Sequence, residues 1–321
     1  MILTKLCLTA RVEDFDQVIL AMGDRIGDLL PFIGGPTYAS VMIEILEKLC
    51  GAEEISVRNA AIKSARTIIS QLDASLVTQV SDYFEMFKRM SNEDAAESFY
   101  MRVSCCSMIA DLYKVLDQPS RSSIREIYMR LVIDDVSMVR RAAALVFLGV
   151  TMEAETEVIL DEYLQVIKSL ATDEYETVKA IGTENLLPFL KILKSLNSKG
   201  SESAALELLP IIKAAALDLS WRIRHAISKD FGDFASLFPE EDITNEIFPL
   251  GVHLIQDNEP DVRTNCLTGM ISFQSVVPSP IFINDLMVVA LNLVEDPYLT
   301  ARKLLAEMCI DIAAKVSKYS K

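Results

Sequence analysis

An all-α chain wound as a right-handed αα superhelix is what this sequence predicts, and three observations predict it. A basic residue preceded by an apolar one returns as Val57-Arg58, Met101-Arg102, Val139-Arg140, Val178-Lys179, Ile223-Arg224, Val262-Arg263 and Ala301-Arg302, in steps of 44, 38, 39, 45, 39 and 39 residues. Six positions before the basic residue an aspartate recurs, as Asp134, Asp173, Asp218, Asp257 and Asp296. On both sides of that turn the apolar residues keep the i, i+3, i+7 rhythm of one helix face. A period near ~40 residues with two helices per copy is the signature of HEAT or armadillo solenoids, whose hairpins bury their apolar faces on one another.

The elements follow in order. Val18, Ile19, Met22, Ile26, Leu29 and Leu30, with Phe15 ahead of them, predict one amphipathic helix over about residues 12 to 30. The apolar start, with Met1, Ile2, Leu3, Leu6 and Leu8, is interrupted by Lys5 and Arg11. That is too early for a secretory leader or a membrane span, so the stretch reads as part of the array. It is not the polar cap that solenoids place on their ends, and is expected to be a cut edge or a binding face. Gly34-Gly35-Pro36 then stops one helix and starts the next.

Helix A of every copy but the one on Arg102 is marked, by Met42, Ile45 and Leu49, by Ile124, Ile127 and Leu131, by Tyr163, Val166 and Leu170, by Leu208, Ile211 and Ala215, by Ile247, Leu250 and Leu254, and by Leu286, Val289 and Leu293. Helix B carries small or apolar residues three and seven places after the basic one, as Ala61 with Ala65, Cys105 with Ile109, Ala143 with Phe147, and Gly182 with Leu186. The small near end lets it approach its partner. The copy on Arg102 is irregular, with extra residues around Ser91-Asn92-Glu93-Asp94 and Phe99-Tyr100 where other turns are small. Lys194 to Ser203, KSLNSKGSES, accounts for the 45-residue step and reads as a lengthened loop. The last helix B contains Leu304, Leu305, Ile312 and Val316. The chain is thus expected to be one array over residues 1–321, a partial repeat at 1–33 followed by about seven repeats over 34–321.

Charge and chemistry narrow the function. A net charge of −15 repels nucleic acid and anionic membranes, so neither is an expected partner. The six cysteines show no CxxC pair, which suggests a reducing cytoplasmic setting, with the nucleus as a second location. His225 and His253 are the only histidines and lie in helical register without a Cys/His/Asp cluster beside them. No phosphate loop, dinucleotide fingerprint or nucleophile elbow occurs. No catalytic residue, cofactor or metal is expected.

That leaves binding. The repeated Asp is expected to cap helix B, and Arg58, Arg140, Arg224, Arg263 and Arg302 to bridge to it as a structural ladder. Stacked copies bring the A-to-B turns onto one ridge, where large residues are candidate contacts. Trp221, the only tryptophan, sits in the turn Asp218-Leu219-Ser220-Trp221-Arg222. Arg141 and the pair Phe99-Tyr100 are the other candidates.

Three stretches carry a resemblance to a known family: Gly34-Gly35-Pro36-Thr37-Tyr38, Ser137-Met138-Val139-Arg140-Arg141-Ala142-Ala143-Ala144, and Leu219-Ser220-Trp221-Arg222-Ile223-Arg224. In matching order and spacing they resemble the scaffold (A, 65 kDa regulatory) subunits of protein phosphatase 2A, with the likeness weakening towards the C-terminus. The resemblance implies a non-catalytic HEAT-repeat scaffold that spans the second half of the family's repeat two through repeat nine. In that family regulatory B-type subunits dock on the turns of the N-terminal repeats, and the catalytic subunit on further C-terminal ones. Carried over by position, Ser137, Arg140, Arg141, Ser220, Trp221 and Arg222 would lie in the regulatory-subunit ridge. A catalytic subunit would bind only where further repeats follow. The chain departs from the pattern at Ser98, where the family commonly has tryptophan, and at Ser137, where it has proline. An adaptor of the karyopherin or adaptin kind is the alternative, since it shares the repeat logic and the acidity. Its cargo binds helix B, and no repeated Asn/Trp pair stands there.

Overall fold

The computed structural model of the chain describes residues 15–92 and 99–319. Among these, every regular element is helical. Met1 to Leu8, Cys7 included, the inserted Glu93 and Asp94, and Ser98 lie outside the described residues. The chain divides into two compact units, Met1–Ala154 and Glu155–Lys321.

The first unit holds α1 (Phe15–Arg25), α2 (Ile43–Cys50), α3 (Ile55–Ile69), α4 (Val77–Ser91), α5 (Phe99–Cys106), α6 (Ile109–Val115), α7 (Gln118–Val132) and α8 (Ser137–Thr151). Helices α2/α3, α4/α5 and α7/α8 are the hairpins. The B helices stack in file, α1 on α3 and α5 on α8. The expected single helix up to about residue 30 is instead broken, a 3₁₀ segment (Gly27–Ile33) following α1. The cause lies in another repeat, where the Ser64 hydroxyl donates to the Gly23 carbonyl at 2.6 Å and accepts the Gly27 N–H at 3.3 Å. Gly34 and Gly35 take φ values of 111° and 83°, open to glycine alone at little cost, and Pro36 begins the next turn of 3₁₀ helix as the sequence predicts.

The second unit holds α9 (Leu164–Ala171), α10 (Glu176–Leu196), α11 (Lys199–Ala216), α12 (Trp221–Ser228), α13 (Phe248–Leu254), α14 (Pro260–Gly269), α15 (Ser279–Leu293) and α16 (Leu299–Tyr319). They pair as α9/α10, α11/α12, α13/α14 and α15/α16, and α10, α12, α14 and α16 stack on one another. The polar stretch from Lys194 to Ser203 is not the expected loop. Asn197 takes the left-handed conformation at the end of α10, and Ser198 and Ser201 form a reciprocal capping box that starts α11 at once. The extra residues therefore lengthen two helices. The helix B register would carry α12 on to Phe231, seven places after Arg224, but Asp230 has φ 52° and a 3₁₀ segment (Phe231–Ser236) follows.

The core is where the register puts it. Leu131, Tyr163, Leu170, Leu208, Leu254 and Leu293 of helix A are buried, as are Ala61, Cys105, Phe147, Leu186 and Cys266 of helix B, with Ile211 only half-buried. Burial pushes the Cys50 thiol up to about 12 and holds Cys105, Cys106 and Cys266 well above the ordinary thiol range. These four thiols are expected to resist a disulfide reagent in the native protein and to react together once guanidinium unfolds it. Rapid titration of all four under native conditions would contradict the packing.

Candidate partner-binding ridge

Five of the turns from helix A to helix B are built on an aspartate, while Ala52 stands at that place before Arg58. The Oδ1 atoms of Asp134, Asp173, Asp218, Asp257 and Asp296 accept the amide two residues on, at 2.8–2.9 Å. The aspartate therefore closes an Asx turn ahead of the helix and is not the N-cap expected of it. The N-caps are Val136, Tyr175, Ser220 and Glu259.

The basic residue does two things. Arg58, Arg140, Arg224, Arg263 and Arg302 each donate from Nη1 to the carbonyl six residues back, which in the last four is that of the turn aspartate. Within each unit it also reaches the next copy's aspartate. Arg102 meets Asp134 at 2.6 Å, Arg224 meets Asp257 at 2.5 Å, Arg263 meets Asp296 at 2.8 Å, and Lys179 pairs with Asp218. Burial disfavours the Asp257 and Asp218 carboxylates, but the bonds from Arg224 and Lys179 and from turn amides outweigh it and hold both below the usual carboxylate range. The bond to Asp257 raises Arg224 in turn. Arg58 ends differently, with its guanidinium 4.4 Å from the centre of the Tyr100 ring.

The predicted contact residues divide on this geometry. In the first unit Arg141 is exposed, Ser137 is half-buried at the start of α8, and Phe99 and Tyr100 are half-buried with ring centres 4.2 Å apart. Arg140 is 8% exposed and holds the turn from within, which removes it from the contact surface to which it was assigned. In the second unit Trp221 and Arg222 are exposed, and Ser220 caps α12 by accepting the Arg222 amide. The Arg222 guanidinium lies 5.0 Å from the indole centre and 3.2 Å from Glu176 of the preceding turn. His225 meets the indole edge-on at 6.1 Å. An indole held between a guanidinium and an imidazole keeps one orientation while part of its ring stays open to solvent.

Sequence reasoning passed over the flanking apolar residues. Leu219 is fully exposed, and Leu217, Tyr175, Tyr298 and Leu299 are more than half or half exposed beside it or in the equivalent turns. The signal was present in part, as Tyr175 and Tyr298 stand two residues after the turn aspartate. Among the described residues, no group of His, Cys, Asp or Glu could hold a metal ion, and no helix is long and apolar enough to cross a membrane.

No family model matches the chain. It is 28% identical over 233 residues to the A-type regulatory subunit of protein phosphatase PP2A from Saccharomyces cerevisiae, covering 70% of this chain and 35% of that protein. Against the Schizosaccharomyces pombe protein of the same name the identity is 30% over 237 residues, 72% of this chain and 38% of the relative. The alpha isoform of the 65 kDa A-type regulatory subunit of serine/threonine-protein phosphatase 2A from Arabidopsis thaliana is 36% identical over 137 residues, 43% of this chain and 22% of that one. The chain spans little more than a third of the length of the two yeast relatives. Among solved structures it superposes on the karyopherin Kap121p, bound there to the extreme C-terminus of the phosphatase Cdc14p, with TM-score 0.69 at 11% identity over 98% of this chain and 33% of that one. Importin beta follows at TM-score 0.60 and 10% identity, over 96% and 42%. At such identities these likenesses speak to the helical-repeat fold alone. The chain is an all-α repeat protein and, by sequence, a relative of the A-type regulatory subunits of protein phosphatase 2A, at 27–36% identity over 43–72% of its length.

Proposed function

We propose that the chain is one HEAT array acting as a non-catalytic scaffold of a protein phosphatase 2A-type complex, offering its A-to-B turns to a regulatory B-type subunit. The observation that carries the reading is the exposed Trp221-Arg222 pair, standing on a buried Asp/Arg ladder in a chain related to A-type regulatory subunits. A rigid ladder fixes the turns, and the aromatic and arginine side chains left outside it are the usual anchors of an interface. Arg141, Ser137 and Ser220 belong to the turns offered in this way, with Phe99 and Tyr100 at their margin. A catalytic subunit would need further repeats. A karyopherin-like transport role has fold likeness behind it and no side-chain observation.

Capture of a purified regulatory B-type subunit tests the reading. Trp221→Ala and Arg141→Ala should each weaken it by about 1–2 kcal/mol, roughly 5- to 30-fold in Kd, without lowering the melting temperature. Undiminished capture by both variants would remove these anchors. The chain alone should not retain the catalytic subunit, and stable capture of it would overturn that part.

A further inference from the structure

The six residues that make one repeat longer than its neighbours have a structural product of their own. They extend α10 to 21 residues and α11 to 18, so the ends of both helices overhang the next inter-repeat connection. Beneath the overhang lies a cavity of about 390 Å³. Its floor is apolar, with Leu190 and Ala205 from the two long helices against Leu237, Phe238 and Pro239. Leu206 stands at the rim, 41% exposed. The Lys194 ammonium, also at the rim, is committed to the Ser236 carbonyl. Glu202 at the mouth and Glu240 and Glu241, which follow Pro239 directly, are exposed carboxylates.

We propose that this cavity is a second docking site, taking an aliphatic side chain flanked by lysine or arginine from a peptide segment of a basic partner. The floor accepts one branched apolar side chain, and Glu202 at the mouth, with the exposed Glu240 and Glu241 following Pro239 in sequence, complements a flanking cation. The same charges argue against a second copy of this chain, since each copy brings −15. The site goes beyond the ridge reading and is separable from it. Helix α10 runs from the ridge at Glu176 to the cavity, so the two lie about 30 Å apart.

The test uses the whole chain and a fluorescein-labelled hexapeptide, Lys-Leu repeated three times, followed by anisotropy. The corresponding Lys-Ala and Glu-Leu peptides are controls. The Lys-Leu peptide should bind at least about tenfold more tightly than either control. Ala205→Phe, which fills the cavity, should abolish that preference. Leu206→Ser and Glu202→Lys, both at exposed positions, should each weaken binding by about three- to tenfold with an unchanged melting temperature, and Trp221→Ala should leave binding unchanged. Equal binding of the Lys-Ala peptide, or full affinity in both Leu206→Ser and Glu202→Lys, overturns the proposal. Concentration-dependent dimers that Ala205→Phe dissolves would overturn it in favour of a second copy.

Discussion

Arg263→Ala is expected to cost about 3–5 kcal/mol of unfolding free energy, read by guanidinium denaturation. Arg263 is 7% exposed and its guanidinium serves two turns. It donates to the carbonyls of Asp257 and Asn258 at 2.6 and 3.0 Å in its own turn, and to Asp296 Oδ1 at 3.0 Å in the next. Removing it leaves a carboxylate that is 6% exposed without its counter-charge and two turn carbonyls without a donor. An exposed ion pair such as Lys191 with Asp233, about half exposed on both sides, should by contrast be worth well under about 1 kcal/mol. The double variant Arg263→Ala/Asp296→Ala should lose less than the two single losses added, by more than about 1 kcal/mol. Strict additivity would mean the ladder is not a coupled unit. Acid makes the same point at Asp257, whose pKa in the fold lies below its unfolded value. The stability it contributes is complete above the ordinary carboxylate range and is lost as the pH falls through that range towards the folded value. Stability should therefore decline less steeply with acid in Asp257→Asn than in the parent.

Much of this was legible in one dimension because a solenoid repeats its physics. A residue that must be buried, small or charged in one copy must be so again some 39 places on. Hence Leu131, Leu170 and Leu254 could be placed in the core, and Asp257 and Arg263 in the ladder, from spacing alone. What escaped depends on contacts that periodicity does not carry. The break after α1 is caused by Ser64, about one repeat away in sequence. The continuation of α10 and α11 through a polar stretch turns on the left-handed Asn197 and the Ser198 cap, where composition alone suggested a loop. Tyr100 is singled out by sequence as a large residue in a turn, but only the structure shows its ring over the Arg58 guanidinium. Spacing put Trp221 and Arg222 in the turn after Asp218, but only the structure shows the indole exposed with Arg222 held by Glu176.

Gly182→Ala is the substitution where local and tertiary physics predict opposite signs. Gly182 lies well inside α10, and helix propensity alone favours alanine there by about 1 kcal/mol. A Cβ at that point, however, would stand 2.4 Å from the Leu170 carbonyl carbon and 2.5 Å from the Ala171 nitrogen, both backbone atoms at the end of α9. Backbone in a packed hairpin cannot swing aside as a side-chain tip can, so α9 and α10 must part and lose the fit of Tyr163, Leu170 and Leu186 between them. The expected net loss is about 3 kcal/mol. Gly149 supplies the control, since it is an exposed glycine in α8 whose added Cβ would meet nothing nearer than Ala110 at 3.9 Å. There the propensity term acts alone, and Gly149→Ala should stabilise by up to about 1 kcal/mol. Melting both variants beside the parent decides the matter. If Gly182→Ala melts higher, the helices of this hairpin do not meet as closely as the structure has them, and the small residue three places after the ladder cation is a matter of backbone propensity and not of packing.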